Sequence, residues 1–177
     1  FLDNDEFFKR KHIFEDGDGK PFEDNHDRMV FFCKGALETV RKFGWSPDII
    51  HCHGWMTSLV PFYVRSVYKD DPLFKKSKIL YSVYNESLGS TFTDDFFTKA
   101  AINNLQQKDL KAYENGSKGV NLHKGAIQYA DALIQGTKKL DAALAKEVKG
   151  FKKPVLEYQD EDSYLKAYFD FYNELAR

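Results

Sequence analysis

Two cysteines, Cys33 and Cys52, are all that the 177 residues contain. That is too few for a disulfide framework and points to a reducing, cytoplasmic setting. Glycine (11) and proline (5) are scarce, which argues against disorder and repetitive linkers. Neither sign of charge is in excess, because 26 Lys and Arg face 27 Asp and Glu. No net field therefore draws in nucleic acid or an anionic membrane. No stretch approaches the roughly 18 apolar residues of a membrane span. The opening Phe1-Leu2-Asp3-Asn4-Asp5-Glu6 lacks an initiator Met, a basic start and an apolar run, so it is no signal peptide and the chain reads as a fragment. The Gly-rich phosphate and dinucleotide loops, GxSxG, HExxH and paired CxxC are missing too, which removes the commonest nucleotidase, dehydrogenase, hydrolase and zinc fingerprints.

What is present is a globular composition, 42% apolar and 16% aromatic, sized for a single domain over 1–177. Aromatics at this density mostly build core, with sugar stacking as a second use. Val30, Phe31, Cys33, Leu37 and Val40 recur at helical spacing, predicting an amphipathic helix from Asp27 to Phe43 capped by Asp24 or Asn25 and ended by Gly44. Apolar runs at 48–53, 78–84, 132–136 and 154–158 read as strands buried in a parallel sheet. Helices are expected at about 55–68, 123–130 and 138–149. A last helix carries Tyr164, Leu165, Tyr168, Phe169, Tyr172 and Leu175 toward one side of the sheet. Residues 86–121 read as an insertion of short helices, with the polar stretch Leu105 to Leu110 exposed. Strands alternating with helices define an α/β, doubly wound parallel sheet, whose ligands bind beyond the carboxyl ends of the strands. The informative positions are then His51 to Trp55, Tyr84 to Glu86 and Gln135 to Thr137.

Several clusters carry possible chemistry. His51 and His53 share one face of a strand and Cys52 takes the other. Two histidines alone do not make a tight metal site. One packed under the strand end and one facing the ligand crevice is the preferred reading, with both satisfied in the core as the alternative. Asp16-Gly17-Asp18-Gly19 is a surface turn and no EF-hand, since Phe14 and Asn25 would fall where acidic calcium ligands are required. Asp24, Asn25 and Arg28 fit a helix cap with a charge pair. Glu86, Asp94 and Asp95 read as solvated loop carboxylates, and spacing alone does not make them an acid/base pair. The sequons at Asn85 and Asn115 read as chance.

Taken in order, Asp24-Asn25-x-x-Arg28, the aromatic-rich helix after it, Trp45-x-Pro47-Asp48-Ile49-Ile50-His51-Cys52-His53-Gly54-Trp55, Tyr84-Asn85 and Lys124-Gly125-x-Ile127-x-x-Ala130-Asp131 resemble the bacterial glycogen and starch synthases over about residues 1–140. The resemblance implies a Rossmann-like N-terminal half of a GT-B glycosyltransferase, lacking its first strands. It further implies transfer of glucose from ADP-glucose or UDP-glucose to the non-reducing end of an α-1,4-glucan, with retention and with neither metal nor cofactor. By position, His53 and Asp24 would be catalytic, His53 steadying the developing oxocarbenium charge; Asn85, Gly54, Asn25 and Thr137 would bind substrate. A complementary C-terminal half or a second copy is the implied protein partner. Three sites depart from the family pattern: Gly54 replaces Asp, Tyr84 replaces His, and Gln135-Gly136-Thr137 stands for Val-Ser-Pro. The diphosphate-holding Lys-x-Gly-Gly and the C-terminal Arg/Lys pair do not occur, so this stretch alone is expected to be nearly inactive. The rival expectation is a non-catalytic homologue that binds glucan or a partner subunit.

Overall fold

A computed structural model describes residues 4–116 and 119–177. The first three residues and the Ser117 of the second sequon lie outside that range. A short helix α1 (Asp5–Phe8) and a turned segment precede the long helix α2 (Asn25–Phe43). α2 opens two residues earlier than its apolar pattern suggests. Asp24 occupies the cap position but makes no capping hydrogen bond, because both its carboxylate oxygens accept from Arg10 at 2.9 and 2.5 Å. Met29, Cys33 and Leu37 form its buried stripe, and its end at Gly44 is closed by a bond from the Gly44 N–H to the Arg41 carbonyl.

Strand β1 (Ile49–His53) leads through a single 3₁₀ turn at Trp55–Thr57 into α3 (Leu59–Arg65), where one helix over 55–68 was expected. Pro61 falls within the first turn of α3, where no intrahelical donor is lost. Every residue from Leu59 to Val64 is buried. β2 (Lys78–Val83) is buried from Ile79 onward, as befits a central parallel strand covered on both faces. Beyond it lie a 3₁₀ turn at Gly89–Thr91, α4 (Asp95–Ala100) and a 3₁₀ helix at Gln107–Tyr113. In that last segment residues 106–109 are exposed as expected, whereas Leu110 is fully buried. α5 (Leu122–Tyr129), β3 (Ala132–Gln135), α6 (Ala142–Gly150), β4 (Val155–Leu156) and α7 (Tyr164–Leu175) complete the chain.

The four strands pair in sequence order, all parallel, with His53 opposite Ser82 and Ser82 opposite Ile134. With right-handed crossovers, a sequential order places all the connecting helices on one face. On that face α2, α3, α5 and α6 pack over Ile50, Cys52, Ile79, Tyr81, Val83 and Leu133. The opposite face carries Ile49, Leu80, Ala132, Ile134 and Leu156, and α7 covers it with Tyr168, Phe171, Tyr172 and Leu175. Leu165 and Phe169, which the sequence placed against the sheet, stay 70% and 65% exposed. α6 begins four residues later than expected and β4 is only two residues long. The loop between β3 and α6 is suspended instead from Asn85, which donates to the Lys139 carbonyl and accepts from the Asp141 N–H, both at 3.0 Å. Asp131 joins two layers at the other end of the sheet: it is ion-paired with Arg65 and accepts from the Ile79 N–H.

Candidate functional site at the carboxyl ends of β1 and β2

The period-two geometry of β1 turns His51 and His53 to the α7 face and Cys52 to the buried opposite face. His51 is held at both nitrogens: Nδ1 lies 2.7 Å from the Tyr172 hydroxyl and Nε2 lies 2.7 Å from Ser82 Oγ. Burial, reinforced by the neighbouring His53, pushes its pKa down from 6.5 to about 3. It is a neutral structural imidazole that joins α7 to two strands. His53 is stacked on it with ring centroids 3.9 Å apart, and is exposed at the strand end. Partial desolvation lowers its pKa as well, so at neutral pH it is an uncharged hydrogen-bonding group. Its Nδ1 lies 3.2 Å from the Tyr84 hydroxyl.

The chain turns sharply at Gly54, with φ 65° and ψ −172°, a conformation that is essentially reserved for glycine. This turn drops Trp55 into the core against Phe14 at 4.8 Å and Phe92 at 6.1 Å between ring centroids. A cavity of about 240 Å³ opens beside it, lined by Phe14, His53, Gly54, Trp55, Met56, Tyr84 and Glu86. A second hollow, of about 440 Å³, adjoins it along Phe14, Trp55 and Glu86 and extends to His12 and Leu88.

The other motif residues sit elsewhere. Asp24 is bound to Arg10, whose guanidinium holds the carboxyl below its usual range. Asn25 is fully buried; it donates to the Phe14 carbonyl at 2.7 Å and accepts from Arg28 at 2.7 Å. Arg28, 2% exposed, also donates to the Phe7 and Ile13 carbonyls. Asp24, Asn25 and Arg28 thus fasten residues 7–14 onto α2 and reach the cavity only through Phe14. Asn85 supports the loop after β3. Thr137 lies in that loop with its Oγ1 buried and unpartnered among the described residues. Of the six residues singled out from sequence, only His53 and Gly54 line the cavity. Phe14 and Met56 were missed as lining residues, whereas Tyr84 and Glu86 lie in the stretch after β2 where ligands were expected. The Tyr164, Tyr168, Tyr172 repeat at four-residue intervals was the available signal for the helix that buttresses His51. Among the described residues, no group of three or more His, Cys, Asp or Glu side chains is placed to hold a metal ion. No helix there is long and apolar enough to cross a membrane.

A parallel α/β domain with a cavity at the carboxyl edge of its sheet, bordered by the His-x-His strand end, is a Rossmann-like unit. The comparisons specify it further. A model of the starch synthase catalytic domain matches residues 1–150, and the chain belongs to that family. It is 42% identical over 140 residues to a glycogen synthase of Chlorobium phaeobacteroides, a match covering 78% of this chain and 28% of that protein. It is 34% identical over 133 residues to one of Geotalea daltonii, covering 75% of this chain and 27% of that protein. The fold matches the catalytic domain of starch synthase IV from Arabidopsis thaliana, a structure bound to ADP and acarbose. That match has a TM-score of 0.61 and 20% identity, over 89% of this chain and 34% of the other. The chain thus spans about a third or less of the length of these relatives.

Proposed function

We propose that this chain supplies one wall of the active-site cleft of a glucosyltransferase that moves glucose from ADP-glucose or UDP-glucose to the non-reducing end of an α-1,4-glucan, with retention. The observation that carries this reading is the placement of His53. It is a neutral imidazole, exposed at the carboxyl end of β1, and it borders a cavity in a chain that belongs to the starch synthase catalytic domain family. An uncharged ring there can hydrogen-bond a sugar hydroxyl without forming an ion pair with the diphosphate. In this reading the side chain or backbone carbonyl of His53 steadies the positive charge that develops at the sugar. Asn25 acts by fixing Phe14, with Arg28 holding Asn25 in place, and Asn85 acts by fixing residues 139–141 in the loop that also carries Thr137.

In this proposal residues 1–177 form one α/β domain, with 86–121 inserted in it. The nucleotide-sugar diphosphate is held largely by chain outside it, in a complementary half or a second copy. The two free, buried cysteines suit a reducing, cytoplasmic setting. The test is incubation of the full-length protein with labelled ADP-glucose or UDP-glucose and a maltooligosaccharide primer. Chain extension that His53→Ala abolishes supports the reading, whereas extension that this variant leaves intact overturns it. A non-catalytic, glucan-binding homologue is favoured by one specific observation: the carboxylate of Asp24 is already committed to Arg10. Maltooligosaccharide binding without any extension would select that reading.

A further inference from the structure

The three departures from the family pattern belong to three separate loops, yet the fold brings them together around one ring. Tyr84 follows β2, and its side chain lies between the turn after β1 and the turn after β3. A methyl group added at Gly136 would lie 2.4 Å from Tyr84 Cε1 and 2.6 Å from its Cζ, and one added at Gly54 would lie 3.5 Å from Cδ2. Gly136 does not have a positive φ, so no backbone requirement explains its glycine; the space taken by the tyrosine ring does. The same ring carries the hydroxyl that lies 3.2 Å from His53 Nδ1, while His51 stacks on the imidazole at 3.9 Å. Among the described residues no hydrogen bond engages His53 Nε2.

We propose that Tyr84 is a positioning residue of the site. Seated against Gly136 and Gly54, it donates its hydroxyl hydrogen to His53 Nδ1, which puts the imidazole proton on Nε2 and presents that N–H to a sugar hydroxyl oxygen in the cavity. Its relevance to glucosyl transfer rests on the reading of His53 given above; the Tyr84–His53 contact itself does not. A phenol is a better donor than acceptor toward a neutral imidazole, and a ring locked by packing loses little freedom in making the bond.

The test uses the full-length protein labelled with ¹⁵N-histidine, with the His53 signals assigned by their loss in His53→Ala. Tyr84→Phe keeps the packing and removes only the hydroxyl. It is expected to move the Nδ1 resonance downfield, as a lone pair losing its donor, and to lower kcat about tenfold with KM unchanged. Gly136→Ala displaces the ring and is expected to produce the same Nδ1 shift with the hydroxyl present. In a Tyr84→Ala background, adding Gly136→Ala is expected to leave both the His53 signal and the melting temperature unchanged. An Nδ1 resonance unmoved in Tyr84→Phe overturns the proposal, as does a Gly136→Ala cost that persists without the tyrosine ring. If the wild type shows no transfer, the proposed function fails, and the resonance still decides the role of Tyr84.

Discussion

The start of α2 and the end of β1 both carry polar family motifs, and they use them in opposite ways. At α2 the Asp24, Asn25 and Arg28 side chains are consumed inside the molecule, by Arg10 and by the carbonyls of Phe7, Ile13 and Phe14. At β1 the outermost histidine keeps one nitrogen engaged and stands open to a cavity. A motif read from sequence therefore mixes residues that hold the fold with residues that face a cavity. Hydrogen-bond saturation separates them: a buried polar group with all partners inside the chain is structural, and a partly satisfied one at a strand end is available for binding.

The sharpest way to break this contrast is Arg28→Ala. It strips the donor from two backbone carbonyls and from Asn25 in a buried setting, and a loss of about 3 kcal/mol in unfolding free energy is expected by denaturant titration. Phe171→Ala tests the support beneath His51 by removing the buried aromatic of α7, with about 3 kcal/mol lost by the same measurement. Acidification comes next. His51 has its pKa near 3 when folded and near 6.5 when unfolded. Below pH 6.5 the unfolded chain takes up a proton that the native state refuses. Stability is then full above pH 6.5 and falls as pH drops toward 3, by up to about 1.4 kcal/mol per pH unit for this one group. Stability curves across that window check it, and His51→Gln should flatten the slope. Asp24→Asn, which weakens a partly exposed pair with Arg10, is expected to cost about 1 kcal/mol or less.

Much of the fold could be read in advance because parallel strands buried on both faces are largely apolar, which marked 78–84 and 132–136 as strands, each one residue longer than β2 and β3. The side assignment of the two histidines followed from the strand period alone. The stripe of α7 was misjudged because two adjacent stripes are both apolar. Tyr164, Tyr168, Tyr172 and Leu175 share their side with Phe171, while Leu165 and Phe169 fall on the next one round, and local periodicity does not say which meets the sheet. The start of α6 was missed because Asn85, more than fifty residues away, holds the preceding loop. The role of Arg28 was hidden for the same reason, since the carbonyls it binds belong to a segment that folds back from 15 to 21 residues earlier. Contacts distant in sequence decide these points, and no local pattern encodes them.

The most direct measurement compares His53→Ala with Asn25→Ala in the full-length protein, reading thermal stability and glucosyl transfer on the same samples. The account predicts that His53→Ala melts within a degree or two of wild type and loses transfer, the exposed ring contributing about 0.5 kcal/mol or less to folding. Asn25→Ala should melt several degrees lower and, at a temperature where it is folded, retain transfer to a larger extent. Equal stability losses in the two variants, or a His53→Ala protein that transfers glucose normally, would contradict the division between a structural motif at α2 and a ligand-facing one at β1.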